Sequence, residues 1–484
     1  QVVSPVLVND KNTRLYHIDF SFDEQRLGGS AFAQSLGKIG SDVPTVKEPQ
    51  YFCDCFDAVQ EMIRRGWILA GHDISAGGLI TTLLEMTFAN AEGGLHINLH
   101  DIKGDDVIKK LFAENPGVVI QVTDEHKEEV KEFLTENCIG FARIGTPSPD
   151  KRTFSIADGD WKAEFDIDVM RETWYKTSYL LDRKQSMNGM AKKRAQNYRK
   201  QPIEMRFNAD FTGTLQQYGL NADRWKTSTP NTHHQTPKAA IIREKETNGE
   251  REMAYALYLA GFEVKDVMMT DLITGRETLE EVNMIVFCGG FSNSDVLGSA
   301  KGWAGAFLYN PKAKQALDHF YARADTLSLG ICNGCQLFME LELINPEHAE
   351  HGKMHHNDSG KHESGFVSVV IPENNSVMLQ SLAGTRLGVW ISHGEGKFHL
   401  PLPESDYNIV AKYAYEGYPA NPNGSDYNAA MLADKSGRHL VTMPHIERSA
   451  FPWNWAYYEE GRTDEVSPWV EAFVNAREWL TEKG

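Results

Sequence analysis

Short apolar runs bounded by glycine, proline and charged residues alternate along this chain with stretches whose apolar positions recur every three or four residues. The first pattern predicts strands and the second helices. Over residues 1–150, strands are expected at 15–20, 68–71, 95–99, 118–122 and 141–144. Helices are expected at 49–65, 77–90 and 124–137, with another opening at Gly28-Gly29-Ser30. This mixture predicts an α+β or α/β domain of mixed topology. The character changes at about 151. A strand at 161–165 and a helix at 170–181 lead into Arg183, Lys184, Lys192, Lys193, Arg194, Arg199 and Lys200, with no acidic residue before Glu204. Residues 151–236 are expected to form a linker, with a polar hinge at 231–237. From 237 to 484, buried strands are expected at 239–242, 284–287, 326–329 and 440–442, with a helix at 251–260 and another beyond Cys332. That is a doubly wound α/β pattern, which places a site at the carboxyl ends of the strands.

Composition narrows the class. A length of 484 residues suits two or three domains with real cores, and 41% hydrophobic with 24% charged residues is ordinary for a globular protein. The formal net charge of −18 argues against nucleic acid as a partner, because phosphate backbones need a positive surface. In so acidic a chain the basic run reads as a solvated linker crossing an acidic face of the same molecule. The six cysteines show no disulfide-like spacing, and a thiolate nucleophile needs a reducing compartment. No run approaches the roughly 20 apolar residues that span a bilayer, and Gln1-Val2-Val3-Ser4-Pro5 does not open a signal peptide. No membrane partner and a cytoplasmic location are expected. The missing initiator Met suggests a piece of a longer polypeptide.

The chemistry concentrates at Gly330-Ile331-Cys332-Asn333-Gly334, between a predicted strand and a predicted helix. A nucleophile flanked by glycines at such a corner is a nucleophile elbow, with the sulfur at a helix N-terminus whose dipole favours the thiolate. A glycine-flanked core cysteine is the alternative. Downstream, His445 and Glu447 stand two apart beyond a predicted strand, so both can point to one side. Glu447 can then accept the Nδ1 proton of His445 while Nε2 faces the thiol, giving a nucleophile, base and orienter in the order Cys332, His445, Glu447. A His-x-Glu pair is weak alone and strong beside an elbow. Cys335 lacks the glycine pair and reads as structural. The turn Cys288-Gly289-Gly290-Phe291-Ser292 follows another strand; the amides of Gly290 and Phe291, with that of Asn333, can form an oxyanion hole. An ordinary strand-ending turn is the alternative there.

In the first domain, His72-Asp73-Ile74-Ser75-Ala76-Gly77-Gly78-Leu79 joins a strand to a helix. Such a helix start can bind phosphate or hold a cation beside it, or Asp73 or Ser75 can simply be an N-cap. His348, His351, His355 and His356 include an i, i+4 pair that can bind zinc if helical, although an exposed polar loop is the expected reading. Cys53 and Cys55 read as helix-packing or surface thiols.

Several of these segments share a resemblance. GICNGCQ, CGGFS, SHGEG (392–396), YPANPNGS (418–425) and MPHIER together resemble the glutaminase domain of the phosphoribosylformylglycinamidine synthase family, from about Pro237 onward. The resemblance implies a class I glutaminase-type doubly wound sheet in which Cys332 attacks the glutamine amide and His445 with Glu447 completes the triad. The family usually has Pro where Ile446 stands, Tyr-Gly at Asn293-Ser294, Gly at Glu246 and Phe at His362. HDISAGGL, followed by Glu85-Met86-Thr87-Phe88-Ala89, is similar to the C-terminal half-domain of aminoimidazole ribonucleotide synthetase-like modules, here an α+β domain preceding the glutaminase. That likeness implies Asp73 as a magnesium ligand and Ser75 as a nucleotide contact, with ATP or a permanently bound ADP and Mg2+ as cofactors. It also implies glutamine and formylglycinamide ribonucleotide as substrates, and the N-terminal remainder of the same polypeptide as partner. The rival readings are a free-standing cysteine hydrolase and a scaffold half with an idle triad.

Overall fold

A computed structural model describes residues 3–221, 236–459 and 461–483. The chain divides into two compact units, residues 1–178 and 179–484.

The first unit is built on a seven-stranded sheet. Its strands are β1 (Thr13–Asp19), β2 (Ile68–Asp73), β3 (Gly94–Asn98), β4 (Gly117–Thr123), β5 (Phe141–Ser148), β6 (Thr153–Asp158) and β7 (Trp161–Asp166). They lie in the order β2-β4-β1-β5-β3-β6-β7, antiparallel except for the β3–β6 pair. Alternation sends neighbouring side chains to opposite faces. Leu15 and Val119 join a core with Leu79, Leu83 and Met86 of the helix Gly78–Phe88. Tyr16 and Ile120 join another with Met62, Val130 and Leu134 from the helices Pro49–Arg64 and Lys127–Glu136.

The expected linker over 151–236 is not a linker at its start. β6 and β7 complete the first sheet, and Phe154 and Ile156 alternate into its core. The change of composition at 151 therefore marks a pair of half-buried outer strands, and the first unit runs on to residue 178. Residues 179–221 belong with the second unit. There Arg194 pairs with Asp182 at 2.9 Å and Glu363 at 3.3 Å and lies over the Tyr418 ring, Lys361 pairs with Asp182, and Arg206 bridges to Arg386. Of the expected hinge at 231–237, all but the last two residues lie outside the described residues.

The second unit holds a nine-stranded mixed sheet. β8 (Lys238–Arg243), β9 (Glu263–Met268), β10 (Met284–Phe287), β11 (Leu327–Ile331) and β18 (His439–Thr442) run parallel in the order β9-β8-β10-β11-β18. The order continues antiparallel through β17 (Ala429–Ala433), β16 (Asn408–Tyr413), β13 (Glu363–Val370) and β14 (Arg386–His393). A two-stranded ladder, β12 (Lys353–His355) with β15 (Lys397–His399), stands apart. β10, β11, β17 and β18 are buried at every position, as strands covered on both faces must be. The register pairs Phe287 with Gly330 and Ile331 with Thr442, so β10, β11 and β18 end side by side.

The Phe287 ring is fully buried and meets Trp303, Phe307 and Phe338 at centroid distances of 5.5, 5.9 and 5.4 Å. Phe287→Ala should destabilise the second unit by about 3–5 kcal/mol, the usual cost of emptying an aromatic core position. Urea unfolding followed by tryptophan fluorescence measures it.

Candidate active site

Cys332 caps the helix Asn333–Glu340 with φ 53° and ψ −106°, a left-handed backbone imposed by the corner between β11 and the helix. Such a conformation costs on the order of 1–3 kcal/mol and persists only where its surroundings over-determine it. The glycines on either side are required by close approach. A Cβ on Gly330 would lie 2.8 Å from the Gly334 carbonyl oxygen, and one on Gly334 only 2.1 Å from that of Phe287. The Cys332 amide donates to Thr442 O at 2.8 Å, and its thiol to Ser392 O at 3.4 Å.

β18 stops at Thr442, because Pro444 has no N–H to extend the ladder. His445 and Glu447 therefore sit in a loop beyond the strand. The His445 amide donates to Trp390 O at 2.8 Å, clasping that loop to β14. Ile446 turns into the core while His445 Nδ1 meets Glu447 Oε1 at 2.6 Å, both side chains being buried. A Cβ on Gly289 would lie 2.9 Å from His445 Cε1 and 3.3 Å from Cys332 Cβ, so the two side chains flank one point that only glycine leaves open. His445 Nε2 meets no hydrogen-bond partner within range among the described residues. Burial works to lower the pKa of this imidazole, but the Glu447 carboxylate, with a contribution from the Cys332 thiol, outweighs it and holds the group well above its usual value. Cys335 is fully buried, and burial pushes its thiol well up.

The expected oxyanion donors divide. Two hydrogen bonds flank the Thr247–Gly290 bridge, one from Asn248 N to Gly289 O at 2.9 Å and one from Phe291 N to Glu246 O at 3.1 Å. Phe291 is therefore not a free donor, since the bridge consumes its amide. Gly290, at φ 125°, sits between these bonds, and its own N–H makes no hydrogen bond among the described residues. Asn333 is the first residue of its helix, where an amide has no preceding carbonyl to bond.

The Asn333 side chain was not anticipated. Its Oδ1 accepts from Ser292 N at 3.1 Å, and its Nδ2 donates to Gln336 Oε1 at 2.9 Å and Asp295 Oδ1 at 3.3 Å, pinning the glycine turn to the elbow helix. His393, quoted above only within SHGEG, is buried against Asn357 Oδ1 at 3.1 Å, and burial first, then the nearby His445, lowers its pKa to about 3. His445 and Glu447 line a cavity of about 720 Å³, with Tyr255, Trp390, Phe451 and Trp453. The four histidines from 348 to 356 fall in an irregular segment and in β12, without a helical pair.

In the first unit, β2 ends at Asp73, whose side chain is 72% exposed, and Ser75 is also exposed. Neither is an N-cap. The helix Gly78–Phe88 is capped by Gly77 at φ 93° with no side-chain hydrogen bond. Glu114, also unanticipated, satisfies this turn instead: one carboxylate oxygen accepts from Gly77 N and Ala31 N, both at 2.8 Å. Among the described residues, no three His, Cys, Asp or Glu side chains are grouped to hold a metal ion, and no helix is long and apolar enough to cross a membrane.

Residues 236–480 match the family model of the CobB/CobQ-like glutamine amidotransferase domain, and residues 21–158 that of the C-terminal domain of AIR synthase related protein. The chain is 36% identical over 487 residues to a probable phosphoribosylformylglycinamidine synthase, chloroplastic/mitochondrial, of Arabidopsis thaliana, covering 96% of this chain and 34% of that protein. It is 36% identical over 499 residues to phosphoribosylformylglycinamidine synthase of Homo sapiens, covering 97% and 36%. The chain thus spans about a third of the length of these curated relatives. Among solved structures, PurLQS from Thermotoga maritima aligns at 23% identity with a TM-score of 0.40, over 51% of this chain and 100% of that one.

Removing the carboxylate by Glu447→Gln should leave burial opposed only by the Cys332 thiol, so the His445 pKa should fall, read by NMR titration of the imidazole. The stability contribution should shrink with it. In the native protein the folded-state pKa exceeds the unfolded one, so the pair's contribution is full below about pH 6.5 and is lost as pH rises through the folded value. In the variant that pH dependence should be weaker. An unaltered titration would refute the pairing.

Proposed function

This chain belongs to the CobB/CobQ-like glutamine amidotransferase family, and from that premise we propose that Cys332, His445 and Glu447 hydrolyse glutamine to release ammonia. The Cys332 sulfur attacks the side-chain amide carbon as His445 Nε2 takes the thiol proton. Gly290 N–H and Asn333 N–H receive the oxyanion. The C–N bond then breaks, with His445 returning the proton to the departing ammonia, and water resolves the thioester to glutamate. Glu447 holds the imidazole in the tautomer and orientation both transfers need. What carries this reading is the 2.6 Å His445–Glu447 contact, set against a glycine whose missing Cβ would touch both His445 and Cys332.

The relatives are named phosphoribosylformylglycinamidine synthases. The further reading is that this chain is the C-terminal portion of such an enzyme, a ligase of purine biosynthesis, and supplies ammonia for ATP-dependent conversion of formylglycinamide ribonucleotide to formylglycinamidine ribonucleotide. The partner is then the N-terminal remainder of the same polypeptide. A free-standing hydrolase would have no use for the first unit. Asp73 suits a magnesium site in part: its carboxylate is open, and Mg2+ commonly takes one or two carboxylates and completes its shell with phosphate oxygens and water. Ser75 stands where it can hydrogen-bond the nucleotide. A cytoplasmic location is the reading for this chain, although the plant relative is named chloroplastic/mitochondrial; the thiol needs only a reducing compartment.

Cys332→Ala should abolish thioester formation with glutamine, and Cys335→Ala should leave it measurable. A glutamine-analogue electrophile should label Cys332 and no other cysteine by mass spectrometry; a label on Cys335 would overturn the assignment.

In the full-length enzyme, Asp73→Asn should weaken retention of magnesium and nucleotide by at least tenfold, about 1.4 kcal/mol, measured by equilibrium dialysis. Unchanged retention would remove Asp73 from the site.

A further inference from the structure

The pair Cys332 and Cys335 opens a helix as Cys-x-x-Cys, and the glutamine chemistry uses only the first thiol. Cys335 is the third helical residue after the cap. Side chains there lean back toward the N-cap, because every Cα–Cβ bond of a helix tilts that way. Both thiols are free, Cys332 keeping 5% exposure and Cys335 none. The buried Tyr413 hydroxyl, held by Asn423 Nδ2 at 3.0 Å, lies within electrostatic reach of both sulfurs. Cys335 is too buried to be attacked from solvent, and it stands one helical turn from Cys332, the thiol of the pair that keeps some exposure. In Cys-x-x-Cys pairs beside a βαβ pattern, a thiol at the helix start is resolved by its partner one turn on.

We propose that Cys335 is the resolving thiol for oxidised Cys332, making the nucleophile reversibly sensitive to peroxides. This rests on the reading of Cys332 as the reactive thiol. In the first step the Cys332 sulfur attacks a peroxide oxygen: an S–O bond forms, the O–O bond breaks, and the leaving oxygen departs as water with the thiol proton. In the second, the Cys335 sulfur attacks the Cys332 sulfur: an S–S bond forms, the S–O bond breaks, and the hydroxyl leaves as water with the Cys335 proton. The peroxide accepts two electrons and two thiols become one disulfide. Without a resolving thiol, a sulfenic acid proceeds to sulfinic and sulfonic acids that reductants do not reverse.

Geometry sets a condition on this chemistry. Cys332 is the non-helical N-cap, and a disulfide needs Cβ atoms about 3.5–4.5 Å apart. The bridge closes only when the Cys332 thiol gives up its contact with Ser392 O. Oxidation therefore turns the sulfur from that carbonyl as well as consuming it, and reduction restores both.

The test exposes the full-length protein to stoichiometric hydrogen peroxide, then alkylates and digests it with trypsin. Residues 324–353 form one peptide holding both cysteines and no others. The expected peptide is lighter by two hydrogens and unalkylated, and dithiothreitol restores iodoacetamide labelling of Cys332. In Cys335→Ala the same exposure should drive Cys332 to sulfinic acid, with labelling lost for good. A wild-type peptide carrying Cys332 sulfinic acid beside an alkylated Cys335 overturns the proposal, as does equal recovery in both proteins. If the variant misfolds, the wild-type peptide decides alone. The mass readout needs no glutamine turnover. A disulfide in a protein without glutaminase activity would sink only the functional reading, and glutaminase activity without the disulfide only this one.

Discussion

β11 is hydrogen-bonded on both sides, to β10 and to β18, in a register that ends the three strands at one level. The rest of the candidate site follows from that alignment. The elbow leaves from β11, the glycine turn from β10 and the histidine loop from β18, so residues far apart in the sequence meet without any long excursion of the chain. The meeting is tight enough to dictate residue type. Gly334 lets the elbow helix rest on the Phe287 carbonyl, and Gly289 leaves room between His445 and Cys332. A methyl group at either place would force apart the elements whose separation defines the chemistry.

The turn beside the elbow shows how a sequence can depart from its family and keep the geometry. Glu246 and Ser294 stand where the resembled family carries glycine, and both have left-handed backbones, at φ 69° and 57°. Asn293 and Asp295 on either side of Ser294 do too, at 54° and 47°. The conformation glycine would adopt freely is here held by side chains: Ser294 Oγ donates to the Glu246 carboxylate, and Asn333 Nδ2 to Asp295. Three successive left-handed residues other than glycine are uncommon. Their persistence beside Gly290 marks this turn as a place where local preference yields to the demands of the site.

The elbow and the His-x-Glu spacing were legible because each is a short pattern with one geometric meaning. The parallel strands were legible because burial on both faces leaves continuous apolar runs. What escaped was set by tertiary pairing. The 151–166 segment looked like the start of a linker because β6 and β7 are outer strands with polar faces, and only their partners reveal the core role of Phe154 and Ile156. The Phe291 amide looked available because its claimant, the Glu246 carbonyl, is distant in sequence. Glu114 gave no signal at all, since nothing local distinguishes it from other surface acids; its role appears only where two glycine-opened turns converge on one oxygen.

β14 lies at the end of the sheet order, yet it holds the site at two points: its Ser392 carbonyl accepts from the Cys332 thiol, and its Trp390 carbonyl from the His445 amide. Cys332 and His445 are thus referenced to the same short length of backbone, two residues apart. Because both are tethered to one strand, a displacement of that strand would carry Cys332 and His445 in the same direction and leave their separation unchanged.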